Sequence, residues 1–229
     1  MIEVQDVWKR YGGTEALRGV SLRFRDGCVT GLLGQNGSGK STLLRIVAGI
    51  TRPGRGRVLV FGEEVGLATR RDTAYLPEID ACYEWMRVGE QLDYLRAFHE
   101  DWNPAREREL LARMKLDRGA RVGGLSHGQR ARLKIVAAFS RRSRLVVMDE
   151  PFNGIDPPSR RLILRSLTEE LRAGGQTVLL STHLVDEVEE LVEDVVYLHD
   201  GEVALAGAAA ELRQDRGGSL TDIFEEIVA

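Results

Sequence analysis

Val29-Thr-Gly-Leu-Leu-Gly34-Gln-Asn-Gly-Ser-Gly-Lys40-Ser41-Thr42 is the stretch that decides the fold. Val29 to Leu33 reads as a buried strand. From Lys40 onward Leu43, Leu44, Ile46, Val47 and Ile50 recur at helical spacing. The turn between them fits G-x-x-x-x-G-K-[ST], a phosphate-binding loop in its working context. In a chain of this composition about 0.004 chance matches are expected. Gly34, Gly37 and Gly39 leave space for backbone N–H groups, with Gln35, Asn36 and Ser38 between them, to curl around an anion. The helix start aims its unpaired N–H groups at the same point. Lys40 adds a charge that can reach the β- and γ-phosphates. The Ser41 hydroxyl can ligate Mg²⁺, and Thr42 can bond the α-phosphate. A glycine-rich turn opening an ordinary helix is the bland alternative. It leaves unexplained why one of only four lysines among 32 basic residues stands at this position.

Working outward, residues 2–8 and 18–25 alternate like half-buried strands. Val20, Leu22 and Phe24 point one way; Ser21, Arg23 and Arg25 point the other. Residues 57–61, 73–76, 145–149, 177–181 and 195–198 are further strand candidates, with helices expected at 157–172, 184–191 and 219–228. Between about 84 and 140 three apolar stripes predict helices: Leu92, Leu95 and Phe98; Leu110, Leu111, Met114 and Leu116; Ile135, Val136, Ala138 and Phe139. The expected fold is α/β: a P-loop NTPase core with a mixed sheet, an N-terminal antiparallel β subdomain and an inserted helical lobe. One domain spans 1–229, with 1–83 and 141–229 as the core and about 84–140 as the lobe.

Composition narrows the functions. The 229 residues hold 32 Lys+Arg against 35 Asp+Glu, a net −3, so no global basic field recruits nucleic acid. Cys28 and Cys82 form no Cys-x-x-Cys pair and read as two buried, reduced thiols. The N-terminus lacks a basic region followed by an apolar run, so no signal peptide is visible. Runs free of charged residues fall well short of the roughly 20 residues that span a bilayer. A cytoplasmic protein that does not cross the membrane by itself is expected.

Leu145-Val-Val-Met-Asp149-Glu150 ends a buried strand in two carboxylates. A strand-end aspartate after a P-loop holds the Mg²⁺ shell. Glu150, one residue further, can take a proton from, or orient, an attacking water. That pair favours ATP hydrolysis over GTP hydrolysis, where a glutamine typically does this work.

Leu125-Ser126-His127-Gly128-Gln129 precedes a helical run. With it the chain resembles the ATP-binding subunit of ABC (ATP-binding cassette) transporters, whose usual pattern there is Leu-Ser-Gly-Gly-Gln. The resemblance runs from the first strand to at least residue 205. It implies that Tyr11 stacks on adenine and that Gly34 to Thr42 hold ATP. It implies that Asp149 binds Mg²⁺ and Glu150 is catalytic, that Asp156 belongs to the D-loop, and that His183 of Ser181-Thr-His contacts the γ-phosphate. Glu78 stands where the family usually has a glutamine, in a Tyr75-Leu-Pro-Glu78 form similar to exporter-type cassettes; it is a candidate catalytic and metal-binding residue.

Ser126 and the N–H groups of Gly128 and Gln129 open a helix and form a second anion site, which also reads as a simple capping box. The resemblance implies that two cassettes, as a homodimer or heterodimer, sandwich ATP between the P-loop of one and Ser126 of the other. It implies a separate transmembrane permease docked near Glu78 and residues 84–115, at the inner face of the membrane. A soluble non-transport cassette for assembly or nucleic-acid work is the competing class; no direct nucleic-acid contact is expected. A P-loop kinase has no use for Leu125–Gln129.

Overall fold

A computed structural model describes residues 1–228, and the side chains of all of these except 170–174 and 228. Two sheets face each other. The first is antiparallel: β1 (Ile2–Tyr11), β2 (Thr14–Phe24), β4 (Arg55–Val60) and β5 (Glu63–Glu64), in the order β2-β1-β4-β5. The second is mixed: β3 (Val29–Leu33), β6 (Thr73–Leu76), β7 (Leu145–Asp149), β8 (Thr177–Thr182), β9 (Asp194–His199) and β10 (Glu202–Ala208). Its order is β10-β9-β3-β8-β7-β6. All pairings in it are parallel except β9–β10.

Alternation along each central strand feeds two cores. Leu145 and Val147 point to one side, where α1 (Lys40–Val47) lies between the sheets with Leu43, Leu44, Ile46 and Val47 buried. Val146 and Met148 point to the other, toward the helical block. A strand walled by apolar side chains on both faces needs the continuous apolar run that the sequence has there.

Between α1 and the block, α2 (Leu67–Arg71) leads into β6. The block holds α3 (Val88–Arg96), α4 (Pro104–Arg113) and α5 (His127–Phe139), with a short 3₁₀ turn at Val122–Gly124. Asn103 caps α4, its Oδ1 accepting from the N–H groups of Ala105 and Arg106, and Pro104 pre-sets the first turn. The α4 and α5 stripes are buried as expected. The first stripe is shorter than its spacing suggests: Leu92 is buried, but α3 ends at Arg96 and Phe98 is exposed. Arg141 stitches the block to the sheet edge, donating to the Thr73 and Arg71 carbonyls and pairing with Asp101.

After β7 come α6 (Pro157–Gly174) and α7 (Val185–Val188), then α8 (Ala209–Arg216) and α9 (Leu220–Val228). Residues 202–208 form an antiparallel edge strand, joined to β9 by a turn at Asp200-Gly201 with both φ values positive (46° and 80°). The two cysteines are free and half-buried rather than fully buried.

Candidate functional site

The cradle begins where β3 stops. Gly34 has φ 153°, and a Cβ there would lie 2.3 Å from the Leu198 carbonyl oxygen. Only glycine fits. The following loop is pinned from behind, the Gly201 N–H donating to the Ser38 carbonyl at 3.1 Å. Gln35, Asn36 and Gly37 stay exposed at its rim, while Ser38, Lys40 and Thr42 are buried. Gly39, in the left-handed region, is the N-cap of α1, so the first N–H groups of the helix have no side-chain cap. Lys40 Nζ donates to the carbonyls of Gly34 (2.7 Å) and Gln35 (3.0 Å). Burial pushes its ammonium pKa down, and the Glu150 and Asp149 carboxylates oppose that shift.

The strand-end carboxylates arrive opposite this loop because β7 lies one strand away from β3, across β8. Asp149 Oδ1 accepts from Ser41 Oγ and from Ser181 Oγ, each at 2.8 Å. Its Oδ2 accepts from Tyr75 Oη at 3.3 Å and lies 3.7 Å from the Arg45 guanidinium. Glu150 is buried and sits at φ 44°. A non-glycine residue held there costs about 1–3 kcal/mol and persists only where its surroundings fix it. Its N–H donates to Ser181 Oγ at 3.0 Å. Its Oε2 lies 3.0 Å from His183 Nδ1, and its Oε1 lies 3.5 Å from Lys40 Nζ. That Oε1 is buried without a hydrogen-bond partner. A carboxylate oxygen with no hydrogen-bond donor, ion-paired with a lysine ammonium, can still accept a hydrogen from a water.

The fold therefore brings Lys40, Ser41, Asp149, Glu150 and His183 together. Tyr11, at the end of β1, is 48% exposed, with the Lys9 ammonium 5.1 Å from its ring centre. Its exposed ring is free for stacking. Glu78 is exposed and accepts from Asn153 Nδ2 at 3.1 Å, not from Ser41. Of the expected metal-binding residues, only Ser41 and Asp149 touch one another.

Ser126 caps α5: its Oγ accepts from the Gln129 N–H at 3.2 Å, and Gln129 Oε1 accepts from the Ser126 N–H at 2.9 Å. This is the capping box anticipated from sequence. A Cβ on Gly128 would lie 2.6 Å from Ser159 Oγ and 2.7 Å from Asp156 Oδ1, so α5 starts against the start of α6. Asp156 caps α6, accepting from the Ser159 N–H at 2.9 Å, and that bond lowers its carboxyl pKa. Within one chain Asp156 belongs to this helix junction. Among the described residues, none of Ser126, Gly128 and Gln129 hydrogen-bonds the 34–42 loop.

Tyr75 and Ser181 stand in the sequence only as parts of motifs, and Arg45 carries no motif at all. All three surround Asp149. They stand 74, 32 and 104 residues from it, so no local pattern in the sequence links them to it.

A protein-family model described as ABC transporter matches residues 17–153. A daunorubicin resistance ATP-binding protein of Streptomyces coeruleorubidus is 36% identical over 97% of this chain and 72% of its own length. A solved structure of an ATP-binding subunit of an ABC transporter superimposes with a TM-score of 0.88 at 30% identity, covering 100% of both chains. A bacterial ABC transporter cassette solved as a dimer matches with a TM-score of 0.81 at 25% identity, over 91% of this chain and 98% of that one. The chain belongs to the ABC transporter family, as one of its ATP-binding, ATP-hydrolysing subunits.

Proposed function

We propose that the chain energises a separate membrane permease by closing with a second cassette around ATP. ATP lies along Gly34–Thr42, with Tyr11 stacked on the base and Lys40 on the outer phosphates. The observation that carries this reading is Glu150 Oε1, without a hydrogen-bond partner and ion-paired with Lys40 Nζ at 3.5 Å inside a buried site. Glu150 aligns a water there for in-line attack on the terminal phosphorus and accepts its proton. His183, on the other carboxylate oxygen, holds Glu150 in place and meets the terminal phosphate.

The residues fit Mg²⁺. Ser41 Oγ and Asp149 Oδ1 converge at 2.8 Å, and no cluster of three His, Cys, Asp or Glu that could cage a metal exists among the described residues. Mg²⁺ asks for that sparse set, since phosphates and waters complete its shell. When bound, it neutralises phosphate charge.

The second anion site, Ser126 with the N–H groups of Gly128 and Gln129, makes no contact with the cradle of its own chain. That supports a composite site in which it closes over the nucleotide of a partner cassette, with Asp156 at the same junction. The helical lobe, about 84–140, is proposed as the unit that moves. An apolar cavity of about 330 Å³ lies beside it, lined by residues that include Tyr75, Cys82, Leu95, Trp102 and Leu133. Exposed Ile79, Tyr83, Trp85 and Phe98 follow it along the chain. They support the permease docking there, at the inner face of the membrane. No helix among the described residues is long and apolar enough to cross a membrane. Tyr75-Leu-Pro-Glu78 supports an outward direction of transport.

The test mixes Lys40→Ala protein with Ser126→Arg protein, each inactive alone. Recovered ATPase activity is expected, since one of two shared sites is rebuilt intact. No recovery at any ratio overturns the shared site.

A further inference from the structure

Asn153 makes more hydrogen bonds than the roles assigned above require. Its N–H donates to the Glu150 carbonyl at 3.2 Å. Its own carbonyl lies 3.0 Å from His127 Nε2, and because a carbonyl only accepts, that ring nitrogen carries the hydrogen. Its side-chain Nδ2 donates to Glu78 Oε1 at 3.1 Å, which fixes the orientation of the amide. Two segments distant in sequence thus reach the residue that also bonds the Glu150 carbonyl. Both, at 78 and 127, are positions where this chain departs from the family's usual glutamine and glycine.

The convergence has a physical consequence. Glu150 sits in the left-handed region, a conformation that must be held by its neighbours. Among the described residues, two hydrogen bonds hold its own backbone: its N–H to Ser181 Oγ, and its carbonyl from the Asn153 N–H. A shift of Asn153 therefore turns the Glu150 backbone, and with it the carboxylate facing Lys40. We propose that Asn153 is a positioning residue for Glu150 in ATP hydrolysis, held from two sides by His127 and Glu78. This rests on Glu150 being the group that aligns the water. A glycine at 127 has no ring to hold the Asn153 carbonyl. A glutamine at 78 meets the same amide with a neutral oxygen, a weaker acceptor than a carboxylate. The two departures then form one device: the His127 ring fixes the main chain of Asn153 and Glu78 fixes its side chain.

A reciprocal exchange tests the device on the purified chain. Asn153→Asp sets two carboxylates face to face, and kcat is expected to fall ~10-fold with KM for ATP within ~2-fold. Adding Glu78→Gln restores the bond with its polarity reversed, the introduced amide donating to the introduced carboxylate. The double variant is expected to recover at least ~3-fold in kcat over Asn153→Asp. His127→Gly should lower kcat ~3-fold and leave KM unchanged. A double variant no better than Asn153→Asp overturns the proposal. So does a His127→Gly variant whose KM rises at constant kcat, which makes His127 a nucleotide contact.

Amide hydrogen exchange over residues 151–155, measured without nucleotide, gives a readout independent of turnover. It should quicken in Asn153→Asp and in His127→Gly and recover in the double variant; unchanged exchange also overturns the proposal. Should the parent hydrolyse no ATP, the reading of Glu150 fails, and the exchange pattern still decides whether the clip exists.

Discussion

Two regions of the molecule break the ordinary rule of burial in opposite ways. The nucleotide cradle buries charge: Lys40, Asp149 and Glu150 are all under 9% exposed, and Glu150 is held at a strained φ. The face from Ile79 to Phe98 exposes apolar bulk: Ile79 is 71%, Trp85 69% and Phe98 68% accessible. Rings there run in a chain, Tyr83 against Trp85 and Tyr94, and Tyr94 against Phe98. Buried charge is costly unless it is paired, so the cradle holds together only because its charges pair with one another and the rest of the fold offsets their burial. An apolar patch costs nothing to unfold and gains only when something covers it. The cradle spends the fold's stability on holding charge in place; the aromatic face leaves apolar surface uncovered by the chain itself.

The sharpest break of that comparison is Glu150→Gln. The substitution keeps the shape and removes the proposed proton acceptor, so turnover should drop ~10²–10⁴-fold while ATP is still bound. Single-turnover hydrolysis beside equilibrium nucleotide binding measures both; hydrolysis within tenfold of the parent puts the acceptor elsewhere. Gly34→Ala comes next. Its Cβ must enter space taken by the Leu198 carbonyl, so the strand–loop junction opens and stability falls by roughly 2–4 kcal/mol. Urea unfolding reads this directly, and a midpoint equal to the parent's shows that the junction yields cheaply. Arg141→Ala attacks the seam between the helical block and the sheet edge. It strands the Thr73 and Arg71 carbonyls and frees Asp101, for a loss of about 2 kcal/mol in the same assay.

These variants also mark how far the sequence could be read. The cradle was legible because its parts are contiguous: a strand, a glycine turn and a helix within fourteen residues. β7 was legible because a strand buried on both faces needs an unbroken apolar run. The supports of Asp149 were not, since Arg45, Tyr75 and Ser181 reach it from other elements and share no local pattern with it. Asn153 escaped for the same reason. β10 had a signal that went unused: Asp200-Gly201 between β9 and the run Val203–Ala208 favours a two-residue hairpin. Phe98 misled because periodicity registers spacing, not where a helix stops. An exposed aromatic at helical spacing looks like core until the partner surface is known.

The aromatic face has its own test. Trp85→Ala removes a mostly exposed ring that touches Tyr83, so the stability of the isolated chain should change by less than about 0.5 kcal/mol and its basal ATPase rate should hold. Co-purification with a permease should fall. A stability loss of 2 kcal/mol instead makes the ring part of the chain's own core, and the contrast between the two regions weakens.

Cys82 sits on the border, lining the apolar cavity beside that face, and it gives the smallest effect. Burial pushes its thiol from about 9 up to about 12, with the Asp80 carboxylate adding to the shift. The folded state thus disfavours the thiolate, and the unfolded chain releases the proton first. Stability from this group is fully present below about pH 9 and is lost as pH rises from there to about 12. At pH 9 the unfolded thiol is half ionised, a loss of about 0.4 kcal/mol at most. Comparing the parent with Cys82→Ala at pH 7 and pH 9 isolates this contribution from the lysines and tyrosines that titrate nearby. The parent should lose the extra increment. Equal losses in both proteins mean that water reaches the sulfur, and that the cavity wall is more open than the cradle it adjoins.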